Sequence, residues 1–157
     1  MKLLKKLTPL LALLALLNTS CTKEYITEEY VTENIGSQVR TFIYDVQPAD
    51  WKVAHSADGR NYWYAEFDNF NLTNSVLEYG AVTADILYTY DIESNAQSWN
   101  KLPYVFPFTT VDNKVIGENI RFEYEHERVT FVIEDLDGAT PEDILGELTF
   151  KLSIITK

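Results

Sequence analysis

Alternating apolar and polar residues predict β-strands along most of the chain after residue 37. In the clearest case, residues 120–125 and 129–134, every second side chain is apolar. These apolar side chains are Ile120, Phe122, Tyr124, Val129, Phe131 and Ile133. Because successive side chains of a strand point to opposite faces, the pattern predicts an antiparallel hairpin with one buried face. Residues 148–154 alternate in the same way and predict a last strand.

Five further segments have the composition of strands. They are residues 39–46, 51–54, 62–67, 81–90 and 104–106. Asp58-Gly59, just before the third of them, predicts a tight hairpin turn. Pro103 and Pro107 flank the fifth, and proline lacks the backbone N–H that an inner strand needs, so we expect an edge strand there.

One short helix is predicted at residues 74–79. Thr73 can cap its amino end through its side-chain oxygen, and Gly80 is expected to end it at the C′ position. Leu72 and Leu77 occupy the two positions of a hydrophobic staple, in which a residue before the cap packs on the first turn.

These elements predict an all-β fold, an antiparallel β-sandwich of about 7–8 strands with one short helix near residues 74–79. Residues 91–101 and 135–145 are polar and are expected to form connections between strands. Short strands at regular spacing, separated by turn residues, are typical of two packed antiparallel sheets. The predicted domain covers residues 38–157.

The amino-terminal residues 1–20 have the pattern of an export signal. A lysine-containing start, an apolar stretch at residues 7–17 and three small polar residues precede Cys21. The apolar stretch is about half the length that a membrane helix needs, so we expect a cleaved signal peptide. Cys21 is the single cysteine of the chain and cannot form an internal disulfide.

The segment around Cys21, LLNTSC, resembles the lipobox of bacterial lipoproteins, with Leu17 one position further from the cysteine than is usual. The resemblance implies that Cys21 is lipidated and that the chain is attached to a membrane through this anchor. The alternative is an ordinary signal peptide followed by an incidental cysteine.

Residues 21–37 are predicted to be an acidic tether between the lipidated Cys21 and the domain. They contain a five-residue repeat, EYITE followed by EYVTE. Apolar residues at a spacing of five fit neither a helix face nor a regular strand face, which favours a spacer. A short docking or oligomerising segment is the alternative.

The charge of the chain excludes several partners. It carries 24 acidic and 13 basic residues, and Lys2, Lys5 and Lys6 lie in the predicted signal. An acidic surface repels nucleic acid and anionic lipid headgroups, so nucleic acid is not expected as a partner. Membrane attachment would then depend on the covalent anchor.

Few residues are arranged for catalysis, and no enzymatic activity, cofactor or metal site is predicted. His55 and His126 are the only histidines, and neither is near a serine in a recognisable motif. The acidic segment 134–143 contains five carboxylates, which suits calcium, but Gly138 comes too early for an EF-hand loop. A solvated loop is favoured. With 24 acidic residues, a carboxylate-dependent hydrolase stays as a second alternative.

Aromatic residues are the best candidates for ligand binding, because flat apolar rings stack on sugars. The candidates are Trp99, Trp51, Trp63 and Tyr104, together with Tyr62 and Tyr64. Trp99 is the foremost, since it lies in a polar segment where core packing does not explain an aromatic residue. Alternatively, Trp51 and Trp63 pack in the core, and Tyr62 and Tyr64 cover one face of a sheet.

Several short motifs resemble a β-sandwich domain of uncharacterised Bacteroidota lipoproteins that often follows a collagen-like Gly-x-y stalk. They include Asp50-Trp51, Tyr79-Gly80-Ala81-Val82, Leu102-Pro103-Tyr104 and Val129-Thr130-Phe131. The resemblance covers roughly residues 38–156 and implies a fold and an outer-membrane, cell-surface location, but no activity. Two features depart from it: no Gly-x-y repeat is present, and Glu127 stands where relatives have glycine.

The sequence therefore favours a membrane-anchored, surface-exposed lipoprotein whose domain serves interaction or assembly without catalysis. The alternative is a glycan-binding accessory protein of polysaccharide uptake. A glycan or protein ligand is the expected partner, and the oligomeric state is left open.

Overall fold

The computed structural model describes residues 26–34, 36–57, 59–91, 93–109, 113–136 and 146–157. The predicted signal peptide, Cys21 and most of the acidic segment 134–143 lie outside the described residues. The strands are β1 (Ile26–Asn34), β2 (Ser37–Val46), β3 (Lys52–His55), β4 (Asn61–Asp68), β5 (Ala81–Asp91), β6 (Ala96–Lys101), β7 (Tyr104–Thr109), β8 (Val115–Glu125), β9 (Arg128–Asp135) and β10 (Leu148–Thr156). Helix α1 spans Asn74–Tyr79, and a 3-10 turn spans Pro48–Asp50.

The strands form two antiparallel sheets of five strands each within the described ranges. Sheet A has the order β1-β2-β10-β5-β6, and sheet B has the order β3-β4-β9-β8-β7. The chain crosses between the sheets after β2, β4, β6 and β9. This confirms the predicted all-β sandwich and its short helix; two strands, β1 and β6, add to the eight segments predicted.

The core lies between the two sheets and is built around aromatic rings. Tyr44 of β2 packs its ring 5.3 Å from Phe67 of β4 and 5.5 Å from Phe131 of β9. Phe131 in turn stacks on Phe150 of β10 at 4.1 Å between ring centroids. All four rings are buried. The alternation predicted for residues 120–134 and 148–154 directs Phe131 and Phe150 inward, as expected, whereas Tyr124, predicted on the same face, is exposed.

Strand β1 corrects the prediction of a spacer for residues 26–34. It pairs with β2 in the antiparallel sense, Ile26 opposite Tyr44 and Val31 opposite Arg40. The register shifts by one residue between Ile26 and Glu29, which is a β-bulge. The bulge adds one residue to β1. Ile26 and Val31, five positions apart, therefore pair with Tyr44 and Arg40, which are four positions apart on β2. The five-residue repeat is therefore compatible with a strand after all.

Strand β6 corrects the prediction of a polar connection for residues 91–101. Residues 96–101 pair with β5, with Trp99 opposite Leu87 and Lys101 opposite Asp85. The strand is at the edge of sheet A and, among the described strands, pairs with one neighbour only, β5. Polar residues are tolerated at such a position, so the sequence lacks the alternating signal of an inner strand.

Helix α1 begins as predicted and ends differently. The Thr73 side chain accepts a hydrogen bond from the Val76 backbone N–H, which confirms the cap. Gly80 is in extended conformation at the C-cap position and not left-handed at C′. Leu77 is exposed, whereas Val76 is buried with Leu72, so the predicted staple pair is not the one that packs.

No helix within the described residues has the length and apolar character needed to cross a membrane.

The turn between β8 and β9 holds a residue other than glycine in the left-handed region. Glu127 has φ +60°. Its backbone N–H donates to the Leu72 carbonyl, and its own carbonyl accepts from the Asn69 N–H, both at 2.8 Å. These bonds fasten the loop before α1 to the hairpin turn and stabilise the left-handed conformation.

Candidate functional site

A shallow groove lies on the outer face of sheet B, on the side away from the core. Strand register aligns its side chains in rows across the sheet. One row runs from Lys52 of β3 through Tyr64 and Val132 to Arg121 of β8. The adjacent row places Thr130 of β9 between two glutamates, Glu66 of β4 and Glu123 of β8.

The groove encloses about 450 Å³. Its lining combines aromatic, acidic and small or aliphatic residues. They are Ala54, Tyr62, Tyr64, Glu66, Glu123, Tyr124, Glu125, Thr130 and Val132. The volume falls within the range of small-molecule sites, about 300–1,000 Å³.

Two tyrosines form the aromatic part of the groove. Tyr62 and Tyr64 come from alternate positions of β4, so both project from the same face. Their ring centroids are 6.2 Å apart and the rings are tilted by 54°. Val132 in the same row as Tyr64 is 1% exposed although it faces away from the core, which shows that neighbouring side chains cover it. The ammonium of Lys52 lies 5.7 Å from the Tyr64 ring centroid.

The glutamates that line the groove are paired with basic side chains beside it. Arg128 lies 3.1 Å from Glu125 and 3.8 Å from Glu66, measured between side-chain nitrogen and oxygen. Glu66 also lies 3.8 Å from the Lys52 ammonium. Arg121 contacts Glu123 directly. The groove therefore offers carboxylate acceptors, and the cations that pair with them lie next to it.

Arg121 is held by carboxylates on two strands. Its Nε lies 3.4 Å from Glu134 of β9, and Glu134 also accepts a hydrogen bond of 2.9 Å from Asn119. Partial burial lowers the pKa of Arg121, but hydrogen bonds and charge attraction from Glu123 and Glu134 outweigh it and raise the pKa. Arg121 is therefore a permanent cation with a restrained orientation.

The other four aromatic candidates do not come together in one site. Trp51 is 6% exposed, belongs to the core cluster and packs against Phe150. Trp63 and Tyr104 are partly buried against the same core. For these three residues, core packing is the role that the structure assigns. The Trp51 Nε1 is buried without a hydrogen-bond partner.

Trp99 lies on the outer face of sheet A, on the opposite side of the sandwich from the groove. It is 40% exposed. The Lys151 ammonium is positioned over its ring, 4.3 Å from the centroid, and also lies 3.5 Å from Asp85. One face of the Trp99 ring is thus covered by a cation from its own sheet, which leaves less of the indole for stacking on a ligand.

The residues considered for metal binding or catalysis are engaged elsewhere in the described part of the chain. No group of three or more metal-binding side chains occurs among the described residues. Glu134, the first of the acidic segment, is bound to Asn119 and Arg121. His55 Nδ1 is hydrogen-bonded to Asn61 at the β3–β4 hairpin, and His126 is in the β8–β9 turn beside Glu127.

The groove combines residues that sequence reasoning named with others that it did not single out. Tyr62 and Tyr64 were among the aromatic candidates, and the structure places them in the groove. Glu66, Glu123 and Arg128 were not identified, although each occupies a position that alternates with core residues. That alternation predicts which side chains face outward, but it does not predict which strands become neighbours.

Neither a protein-family model, nor a curated protein, nor a solved structure matches this chain.

Proposed function

We propose that this chain is a membrane-anchored, surface-exposed lipoprotein whose sandwich is a non-catalytic binding domain. Its ligand would bind the groove on the outer face of sheet B. The observation that carries this proposal is that Tyr62 and Tyr64 share one concave surface with three carboxylates, each of which contacts an arginine beside that surface. In small-molecule sites, aromatic and apolar side chains supply contact area and a few polar groups fix the orientation of the ligand.

The position of the groove also supports binding. Its side chains project from four paired strands, whose backbone hydrogen bonds fix their spacing. Arg121 and Arg128 are each held by two carboxylates, so the donors need little reordering when a ligand arrives. Preorganised groups lose less conformational entropy on binding, and this raises affinity.

The binding half of the proposal is testable by NMR with the isotope-labelled full chain. Separate titrations would use neutral sugars, amino acids, short peptides and nucleotides. We expect at least one class to shift the amide signals of β4, β8 and β9 near Tyr64, Thr130 and Glu123. Shifts confined to β5 and β6 around Trp99, or none with any class, would contradict the proposed site.

The membrane half depends on Cys21. Mass spectrometry of the chain from the membrane fraction should find acyl groups on this cysteine, and the Cys21→Ala chain should leave that fraction. A Cys21→Ala chain that stays in the membrane would refute lipid anchoring. Turnover of a defined substrate, with loss on Glu66→Gln or Glu123→Gln, would instead favour the alternative of a carboxylate-dependent hydrolase.

A further inference from the structure

We infer that the groove on sheet B binds a neutral oligosaccharide. The inference rests on the proposed binding function and names the ligand class for the same site. Three properties support it: the groove's carboxylates are paired with cations, these pairs place donors next to acceptors, and two tyrosine rings lie side by side.

Charge balance in the groove disfavours ionic ligands. Three of its carboxylates, on Glu66, Glu123 and Glu125, each lie within 4 Å of an arginine or lysine nitrogen. A cationic ligand would have to displace these partners. An anionic ligand would meet the net charge of −11 of the chain, which repels it at long range. A neutral ligand meets neither obstacle.

The adjacent donors and acceptors match the hydroxyl groups of a sugar. Each sugar hydroxyl donates one hydrogen bond and accepts others, so neighbouring hydroxyls can donate to a carboxylate and accept from a guanidinium. Arg121 with Glu123, and Arg128 with Glu125, supply such pairs on β8 and β9. The two pairs flank Thr130, whose hydroxyl lies on the groove floor between Glu66 and Glu123.

The tyrosine rings supply the apolar part of sugar recognition. The C–H faces of a sugar ring are apolar, and an aromatic ring buries them without competing for hydroxyls. Tyr62 and Tyr64, at 6.2 Å between centroids, offer two such surfaces along one strand. Two neighbouring stacking surfaces fit an oligosaccharide better than a single sugar unit.

Affinity gel electrophoresis tests the ligand class directly. The purified full chain would run in gels that contain a neutral polysaccharide, in turn an α-glucan, a β-mannan, a xyloglucan and a β-1,3-glucan. Polygalacturonate and chitosan would serve as anionic and cationic comparators. We expect at least one neutral polysaccharide to retard the chain, and neither charged one to do so more strongly.

Variants locate the binding on the molecule. Tyr62→Ala with Tyr64→Ala should weaken retardation about tenfold or more, because aromatic anchors carry much of the affinity of a site. Thr130→Arg should have a similar effect by filling the groove from its floor while keeping both tyrosines. Trp99→Ala, on the opposite sheet, is the matched control and should bind like the wild type. Circular dichroism would confirm that each variant is folded.

Each remaining outcome counts against a specific claim. No retardation by any neutral polysaccharide overturns the inference. If only a charged polysaccharide retards the chain, and Thr130→Arg abolishes that retardation, the ligand is not neutral but the groove is still the binding site. Loss of binding in Trp99→Ala, with retention in both groove variants, overturns the inference and the proposed site together.

Discussion

At the scale of single residues, a buried phenol and a buried amide depend on each other. The Tyr44 hydroxyl, in the centre of the core, accepts a hydrogen bond of 2.7 Å from the Asn69 side-chain amide. Asn69 Oδ1 accepts from the Asn71 backbone N–H at 3.0 Å. A buried polar group that loses its partner costs about 1–3 kcal/mol, so this pair ties the loop before α1 to the core.

Tyr44 should make folding stability sensitive to alkaline pH. Burial raises its pKa from 10.0 to about 12, against a smaller lowering by the bond from Asn69. Below pH 10 the phenol is neutral in the folded and in the unfolded chain, and its full contribution to the unfolding free energy is present. As the pH rises from 10 to 12 the unfolded chain loses the proton first, and roughly 2–3 kcal/mol of unfolding free energy is lost.

Urea unfolding at pH 8 and pH 12 measures this effect. Tyr44→Phe leaves the Asn69 amide without its acceptor, so we expect it to be less stable than wild type at pH 8 by about 1–3 kcal/mol. This difference in unfolding free energy between wild type and Tyr44→Phe should become smaller or change sign by pH 12. Tyr90→Phe, at an exposed tyrosine, is the control and should show no pH-dependent gap. Parallel losses in wild type and Tyr44→Phe would contradict the prediction.

At the scale of elements, Gly80 allows α1 to pack against the end of β10. A Cβ atom at this position would lie 2.8 Å from the Val76 carbonyl oxygen and 2.9 Å from the Ile155 carbonyl oxygen. Both are backbone atoms and cannot rotate away. Glycine is thus required here by close approach, since its backbone is extended and not left-handed.

Gly80→Ala should therefore destabilise the fold by about 1–3 kcal/mol, the usual cost of overpacking. Gly146→Ala is the matched control, because nothing lies within 4 Å of a Cβ added there. We expect the control to stay within about 0.5 kcal/mol of wild type. Urea unfolding of both variants measures the difference, and equal effects would show that the contacts around Gly80 yield easily.

Elements with a clear pattern in their own residues were predictable from the sequence. Elements that form mainly through pairing with a neighbouring strand were not. The alternation at residues 120–134 and the Thr73 cap both appear in the structure as expected. The edge strands β3 and β7 were predicted, whereas β1 and β6 were missed because both are rich in polar residues and a bulge breaks the period of two in β1. Such strands are identified by their neighbours, which periodicity along one segment does not reveal.

At the scale of the whole molecule, the groove depends on strand order. Tyr64 and Glu123 are 59 positions apart in the sequence, yet only β9 separates their strands. Alternation indicated that both side chains face outward, but not that they share one face of one sheet. The same limit applies to Trp99, whose polar surroundings predicted exposure and whose sheet proved to be the opposite one.

Strand β1 also determines how the domain would be oriented on a membrane. Ile26 lies opposite Tyr44 and Asn34 opposite Ser37, so β1 enters at the end of the sandwich where β2 finishes. Only residues 22–25 separate Cys21 from β1, and a chain of that length spans at most about 18 Å. The β8–β9 turn lies at the other end, because Glu127 is hydrogen-bonded to the loop at residues 69–72 and Asn71 of that loop accepts a bond from Arg40, near the start of β2. The nine residues of β1 span roughly 30 Å between these ends.

If Cys21 is lipidated as proposed, the chain should hold one end of the sandwich close to the bilayer and the β8–β9 turn away from it. Glu93→Cys, in the β5–β6 turn, and His126→Cys would each carry a donor fluorophore, in vesicles that contain an acceptor-labelled lipid. We expect stronger energy transfer from position 93 than from position 126. A flexible linker of about 30 residues inserted after Cys21 should abolish the difference, since its average span of roughly 30 Å lets the domain rotate. Equal transfer without the linker would mean that β1 does not restrain the domain, and that residues 21–37 act as the spacer that their five-residue repeat first indicated.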